Sequence, residues 1–351
     1  MNLPKLGRRL AASRALRIGI SAVVTIALLA LVLRAIPPGE LLRTLGHASP
    51  ALLLLAAVAA FGFVSARAWR YRVLLGPERA HSGRIVLGIT LAGWGISLVL
   101  PGPAGDGVFI WLARTRLSTP IALGAGAVLV ARALDVISLL LVALITAPLA
   151  GVRLPAAADL AGLVLAAALV MALTGLFWAR PRHAILALLG RVPWVGRLVA
   201  RMEPALHELG GGSRPVALIV STVAARCLTA VQYLALFAAI GHPLSFAQAW
   251  FALSIRTLLL AFPIQGLGGL GTGQLWWTGA LTLLGWPLRT ALPASLAVHL
   301  LDLAISLPQG AAGWLALYAS RLSGFAPAGV SSASRSPATV SRSGSSRSER
   351  G

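Results

Sequence analysis

The chain has 351 residues, of which 58% are hydrophobic and only 11% are charged. Several apolar runs reach the roughly 20 residues that a bilayer crossing needs, so the composition indicates a polytopic membrane protein. The formal charge of +21 does not indicate nucleic-acid binding, because the basic residues lie mainly between apolar segments, as the positive-inside rule predicts. The single cysteine, Cys227, excludes an intrachain disulfide, and the single lysine, Lys5, excludes a Walker A loop. The six histidines show no paired spacing, so we expect neither a metal site nor a cofactor.

The first crossings follow a basic N-terminal segment, residues 1–17, which we place in the cytoplasm. The apolar run 18–33 is interpreted as a retained first helix. A second crossing, 51–66, ends in the sequence RAWRYR, whose arginines and aromatic residues are typical of a membrane interface. We therefore place the connection 67–84 on the cytoplasmic side.

Two Pro- and Gly-rich breaks interrupt pairs of apolar segments that are too short to cross a bilayer. The first break is LPGPAGDG at 100–107, between the short segments 85–100 and 108–113. The second is FPIQGLGGLGTGQ at 262–274. The connection 67–84 and the next strongly basic connection, 180–214, should both be cytoplasmic, so an even number of crossings lies between them. The long apolar runs 121–148 and 160–178 supply these two crossings, so the first pair of short segments must enter and leave by one face as a re-entrant hairpin.

The second half of the chain repeats this order. Its segments are the crossings 160–178, 216–240 and 291–320 and a hairpin formed by 250–261 and 273–284. We predict an all-α polytopic membrane protein with two inverted repeats, each of three spanning helices plus one re-entrant helical hairpin. The predicted domains are the repeats 18–149 and 150–320, with an interfacial amphipathic segment at 181–209 and a disordered Ser- and Arg-rich tail at 321–351.

The hairpin backbones contain residues that allow close approach and expose helix N-termini. These are Pro101, Gly102, Gly105, Pro263, Gly266, Gly268, Gly269 and Gly271. A half-helix N-terminus favours an anionic group, whereas tight packing alone would also require glycine. Asp106 begins the outgoing half-helix of the first break, either as an N-cap or as a functional carboxylate.

Polar pairs recur in the last helix of each half. Arg132 and Asp135 follow Asp106 by 26 and 29 residues, and His299 and Asp302 follow Gln274 by 25 and 28 residues. The i, i+3 spacing places each pair on one helix face, so it predicts either an intrahelical pair or a shared cavity.

Two further arginines, Arg226 and Arg256, lie in apolar segments with no acidic residue within helical reach. A guanidinium at membrane depth is costly, and it binds phosphate as a bidentate fork. Pairing across the fold with Asp106, Asp135 or Asp302 is the alternative. The predicted substrate-binding set is Arg132, Arg226, Arg256, Asp106, Asp135, Gln274, His299 and Asp302, and we predict no catalytic residue.

The chain resembles the lysylphosphatidylglycerol synthase transmembrane family, also called flippase-like integral membrane proteins, which includes the membrane half of the multiple peptide resistance factor. The matching pieces are RAWRYRVLL, LPGPAGDGVFIWLARTR, ARALDVISLLL and FPIQGLGGLGTGQ, and they span roughly residues 15 to 320. Ala131, Gln274 and His299 depart from the pattern, at positions where the family commonly has Glu, Glu and a nearby Arg.

The resemblance implies translocation or handling of a lipid with a polar headgroup, anionic or modified, across a bacterial cytoplasmic membrane. We expect a transporter without a synthetase domain rather than an enzyme, with both termini cytoplasmic. The alternatives are a secondary carrier for a small anionic solute and a non-transporting subunit of a lipid-modifying system. The expected partner is membrane lipid and not nucleic acid, and we also consider a homo-oligomer and a separate lipid-modifying enzyme.

Overall fold

The computed structural model describes residues 45–76, 82–100, 103–153, 155–177, 214–259 and 269–323, together with positions 39 and 43. The long described segments form nine α-helices, which confirms the predicted all-α class. In chain order they are α1 Pro50–Leu75, α2 Gly83–Val99, α3 Ala104–Leu117, α4 Ile121–Leu149, α5 Ala156–Phe177, α6 Arg214–Ala239, α7 Phe246–Leu259, α8 Thr272–Leu283 and α9 Leu288–Ser323.

Four of the described helices, α1, α4, α6 and α9, are long and apolar enough to cross a membrane. Helix α5 covers the predicted crossing 160–178. The predicted crossing 18–33, the segments 1–17 and 181–209, and the tail beyond Ser323 lie outside the described residues.

The remaining helices are short. Helices α2, α3, α7 and α8 have 17, 14, 14 and 12 residues, which is fewer than the roughly 20 that a crossing needs. They occur in two packed pairs, α2 with α3 and α7 with α8, at the places where the sequence predicts hairpins.

The helices of the two halves pack across each other. Helix α1 lies along α6, α2 packs on α9, and α7 packs on α4. Within each half, the second short helix packs on the last long one, as α3 does on α4 and α8 on α9. Exchanging α1–α4 with α6–α9 therefore leaves this set of contacts unchanged.

Apolar side chains form two main clusters, one built mostly from α1–α4 and the other mostly from α6–α9. Each contains one buried aromatic pair at a corresponding place. Tyr71 of α1 stacks on Phe109 of α3 with ring centroids 4.0 Å apart, and Tyr233 of α6 lies 4.8 Å from Trp277 of α8. These pairs fix each short outgoing helix against a long one.

Glycine sets the crossing of α2 and α9. A β-carbon added at Gly310 would lie 2.6 Å from the Gly95 Cα, so any side chain there would separate the two helices. Between α2 and α3, a β-carbon at Gly105 would overlap Ser97 Oγ and the Gly93 carbonyl oxygen. The predicted close backbone approach at Gly105 is therefore observed.

The end of α1 differs from the interfacial belt predicted for RAWRYR. The helix continues to Leu75, and Arg67, Arg70 and Tyr71 are buried, whereas Trp69 and Arg72 are exposed. Positions 67, 70 and 71 share one helix face. That face lies inside the bundle, where the carboxylate of Asp135 compensates the charge of the Arg70 guanidinium.

Candidate functional site

The carboxylate of Asp135, on α4, binds two guanidinium groups from other helices. Arg70 of α1 donates from Nη1 to Oδ1 at 2.9 Å and from Nη2 to Oδ2 at 3.2 Å. Arg226 of α6 donates from Nη2 to Oδ1 at 2.6 Å. Such charge-assisted pairs are stronger than neutral hydrogen bonds. Asp135 thus joins α1, α4 and α6, and the predicted alternative of pairing across the fold holds for Arg226.

A third arginine lies beside this carboxylate. Arg67, one helical turn before Arg70, is close enough to interact electrostatically with Asp135. Its guanidinium lies 5.5 Å from the Phe63 ring centroid and 5.3 Å from that of Trp94 on α2. It forms no ion pair with any carboxylate in the described part of the chain. We call Arg67, Arg70, Arg226 and Asp135 the arginine cluster.

The arginine cluster carries more positive than negative charge. Two guanidinium groups bind one carboxylate, a third lies one helical turn before Arg70, and the side chains of Arg70 and Arg226 are 0% and 8% exposed. The Nε atoms of all three arginines are buried and have no hydrogen-bond partner among the described residues. Since an isolated charge is costly away from water, a second anion would complete the cluster electrostatically.

Asp106 and Arg132 form a separate pair between α3 and α4. Arg132 donates from Nε to Oδ2 and from Nη2 to Oδ1, both at 3.0 Å, in a bidentate fork. Asp106 lies in the first turn of α3, but Pro103 is at the N-cap, so the carboxylate binds Arg132 instead of capping the helix. The Arg132 side chain is 48% exposed, which places this pair at the edge of the bundle.

The predicted intrahelical pairing of Arg132 with Asp135 is therefore not what the structure has. Both side chains lie on α4, one turn apart, but each takes its partner from a different helix. The i, i+3 spacing brings two ionic groups to one helix face and does not pair them with each other.

Asp302, on α9, has a different environment. Gln232 donates from Nε2 to Oδ1 at 2.7 Å, Tyr233 donates its hydroxyl to Oδ2 at 2.8 Å, and Ser306 donates to Oδ1 at 3.1 Å. The residue is 3% exposed. Its hydrogen-bond donors are all neutral, and no Arg or Lys of the described residues forms a salt bridge with it.

Arg256, on α7, contacts aromatic rings rather than a carboxylate. Its guanidinium lies 5.6 Å from the Tyr233 ring centroid and 5.5 Å from that of Trp277. Cation–π contacts of this kind stabilise a cation by about 0.5 to 2 kcal/mol. Tyr233 therefore contacts Arg256 with its ring and Asp302 with its hydroxyl.

Gln274 lies in the first turn of α8, and His299 of α9 lies beside the start of that helix. A β-carbon at Gly269 or Gly273 would lie 3.3 or 3.4 Å from His299 Cε1, so these glycines make room for the imidazole ring. Gly269 and Gly271 have positive φ angles of 67° and 81°, which glycine adopts without strain. Gln274 is fully buried, and neither the nitrogen nor the oxygen of its amide has a hydrogen-bond partner among the described residues. Pro101, Gly102, Pro263, Gly266 and Gly268 lie outside the described residues.

Sequence reasoning missed several residues of these sites. Arg67 and Arg70 were assigned to an interface because they follow an apolar run, although their i, i+3 spacing matches that of Arg132 and Asp135. Gln232, Tyr233 and Ser306 carried no signal, because uncharged side chains are unremarkable in an apolar helix until their partner is known.

Comparison with known families gives the chain's relationship. The family model described as "Lysylphosphatidylglycerol synthase TM region" matches residues 15–310, which include the arginine cluster, both helix pairs and Asp302. No curated protein and no solved structure matches the chain significantly. The chain is therefore a membrane protein that belongs to the lysylphosphatidylglycerol synthase transmembrane family.

Proposed function

We propose that this protein translocates a phospholipid with a polar, anionic headgroup across the cytoplasmic membrane. Membership in a family of lipid-handling membrane regions supports the substrate class. The observation that carries the proposal is the arginine cluster, in which two buried guanidinium groups bind one carboxylate and a third, that of Arg67, is buried one helical turn away without an ion pair to a described carboxylate. A lipid phosphate would supply the missing negative charge while the acyl tails remain in hydrocarbon.

Guanidinium geometry favours phosphate as the guest. An arginine presents several donors in a planar fork that matches two phosphate oxygens. Arg67 is the best placed of the three to bind a guest, because Arg70 and Arg226 already donate to Asp135. Arg67 also contacts Trp94 of α2, the first of the two short helices α2 and α3.

We further propose two inverted repeats, 18–149 and 150–320, each with three spanning helices and one re-entrant hairpin. Three observations support this arrangement: the exchangeable contacts between halves, the corresponding aromatic pairs, and short helices that cannot span. A translocation path at the interface between repeats would then pass the arginine cluster. The half-exposed Arg132, paired to Asp106, would form the edge where a headgroup enters.

In this proposal the chain transports lipid without catalysing the formation of a covalent bond. Both termini lie in the cytoplasm. Lipid is the only partner that the proposed mechanism requires. A separate lipid-modifying enzyme would supply or consume the substrate, and a homo-oligomer is compatible with the described surface without being needed.

A vesicle assay tests the function. The purified full chain is reconstituted in liposomes that contain a fluorescent anionic phospholipid in both leaflets, and an impermeant reductant is added outside. We expect the fluorescence to fall further than in protein-free vesicles, because inner-leaflet lipid reaches the outside. Absence of lipid movement with and without a proton gradient, together with uptake of inorganic phosphate, would instead identify a solute carrier.

A further inference from the structure

The corresponding carboxylates of the two halves, Asp135 and Asp302, have different hydrogen-bond donors. The aromatic pairs Tyr71–Phe109 and Tyr233–Trp277 align α1 with α6, so that Arg70, which precedes Tyr71, corresponds to Gln232, which precedes Tyr233. Arg70 donates to Asp135, and Gln232 donates to Asp302. The same geometric contact is thus cationic in the first half and neutral in the second.

The carboxylate of Asp302 consequently lacks the positive charge that Asp135 receives. Its three donors satisfy hydrogen bonds but contribute no net charge. A buried ionised carboxylate is costly unless it is paired. Arg256 lies over the rings of Tyr233 and Trp277, and it forms no salt bridge with Asp302 in the described part of the chain.

The groups around Asp302 can also serve as ligands. Two carboxylate oxygens, the Tyr233 hydroxyl and the Ser306 hydroxyl lie together, and the Gln232 amide presents oxygen instead of nitrogen when it is turned over. Hard cations prefer such oxygen ligands. One carboxylate charge balances one positive charge, so the site suits a guest with a single positive charge.

From this arrangement we infer that Asp302, Tyr233, Ser306 and Gln232 form a binding site for a monovalent cation. The cation is either an alkali ion from solution or the ammonium group of a lipid headgroup, since both place one positive charge among the same oxygens. Binding at this site does not depend on the proposed function. A role for the ion in driving lipid movement would rest on that function.

Ligand-dependent stability of the purified full chain tests the site. The thermal midpoint is measured in detergent with sodium chloride, ethanolamine hydrochloride or choline chloride at equal ionic strength, because a ligand that binds only the folded state raises it in a saturable way. We expect a saturable rise with sodium or ethanolamine relative to choline, whose quaternary ammonium is bulkier than sodium and has no N–H to donate. A rise with sodium identifies a solution ion, and a rise with ethanolamine alone identifies a headgroup ammonium.

Variants connect the response to these residues. Asp302→Asn should abolish the rise, whereas Asp159→Asn, which changes an exposed carboxylate on α5, should keep it. If Asp302→Asn does not fold, Tyr233→Phe and Ser306→Ala test the site in its place. Each should raise the apparent dissociation constant of the cation at least about tenfold. Equal midpoints in all three salts, or an unchanged response in the variants that fold, would overturn the inference. Because no lipid movement is measured, failure here is distinct from failure of the translocation assay.

Discussion

At the level of single residues, Asp135 both neutralises positive charge and joins helices. It is the described carboxylate that binds two arginines, and these come from α1 and α6, the long helices that lie along each other. Its ion pairs therefore contribute to stability as well as to the charge of the arginine cluster. Arg67 differs, because it adds positive charge without holding a carboxylate in place.

The first prediction compares the buried ion pairs of Asp135 with the half-exposed ion pair between Asp106 and Arg132. Asp135→Asn should lower the free energy of unfolding by about 3 to 5 kcal/mol, because it leaves buried guanidinium groups without a counter-charge. Asp106→Asn is the matched control and should cost about 1 kcal/mol or less, since Arg132 is half exposed. Denaturant titration of both purified variants measures this, and equal losses would show that burial does not distinguish the two pairs.

At the level of helices, the close crossing of α2 and α9 joins a short helix of one half to the last helix of the other. Gly95 and Gly310 allow this approach, and Gly88 and Gly313 extend it along the same face. Small residues let membrane helices pack backbone to backbone. The crossing therefore fixes where the packed pair of α2 and α3 lies relative to the second half of the chain.

Glycine substitutions on helices should separate packing from helix propensity. Gly310→Ala should lower the thermal midpoint, because its β-carbon would lie 2.6 Å from Gly95 Cα. Gly279→Ala, on α8 with no atom within 4 Å of the added carbon, should raise it, since alanine favours a helix over glycine by about 1 kcal/mol. A rise for both variants would mean that the α2–α9 contact is looser than the structure has it.

The hairpins make a prediction about topology. In a Cys227→Ala background, Ser82→Cys and Ser118→Cys flank α2 and α3 and should both resist an impermeant thiol reagent added outside intact cells. Ser245→Cys, before α7, should react, because the proposed second hairpin would enter from the opposite face. Labelling of Ser118→Cys from outside would show that α2 and α3 together cross the membrane once and would remove the first hairpin.

For the molecule as a whole, the helices could be predicted from the sequence to within a few residues at most of their ends. Hydrophobic length fixes a crossing, and Pro and Gly mark its breaks, so α2 at 83–99 and α8 at 272–283 closely match the predicted segments 85–100 and 273–284. The end of α1 is the exception, because its arginines follow an apolar run as interfacial residues do.

Side-chain partners could not be predicted in the same way. They depend on which helices become neighbours, and the exchange of contacts between halves is a property of the packed bundle. The sequence therefore identified Asp135, Arg226 and Asp302 as candidates. It did not show that one carboxylate binds two arginines whereas the other binds a glutamine, a tyrosine and a serine.

Lipid translocation by Arg67 variants tests the central claim, that the arginine cluster binds the phosphate of a lipid in transit. Arg67 forms no ion pair with a described carboxylate, so Arg67→Gln should keep a thermal midpoint near that of the wild type. Loss of a charge-assisted contact costs about 1.5 to 3 kcal/mol, which corresponds to a rate at least about tenfold lower.

In the liposome reductant assay we therefore expect slow exchange for Arg67→Gln and an intermediate rate for Arg67→Lys, which keeps the charge but loses the planar fork. Arg72→Gln, an exposed change on the same helix, should exchange lipid at the wild-type rate. Wild-type exchange by folded Arg67→Gln protein would contradict the claim, since the headgroup would then cross without the arginine best placed to bind it.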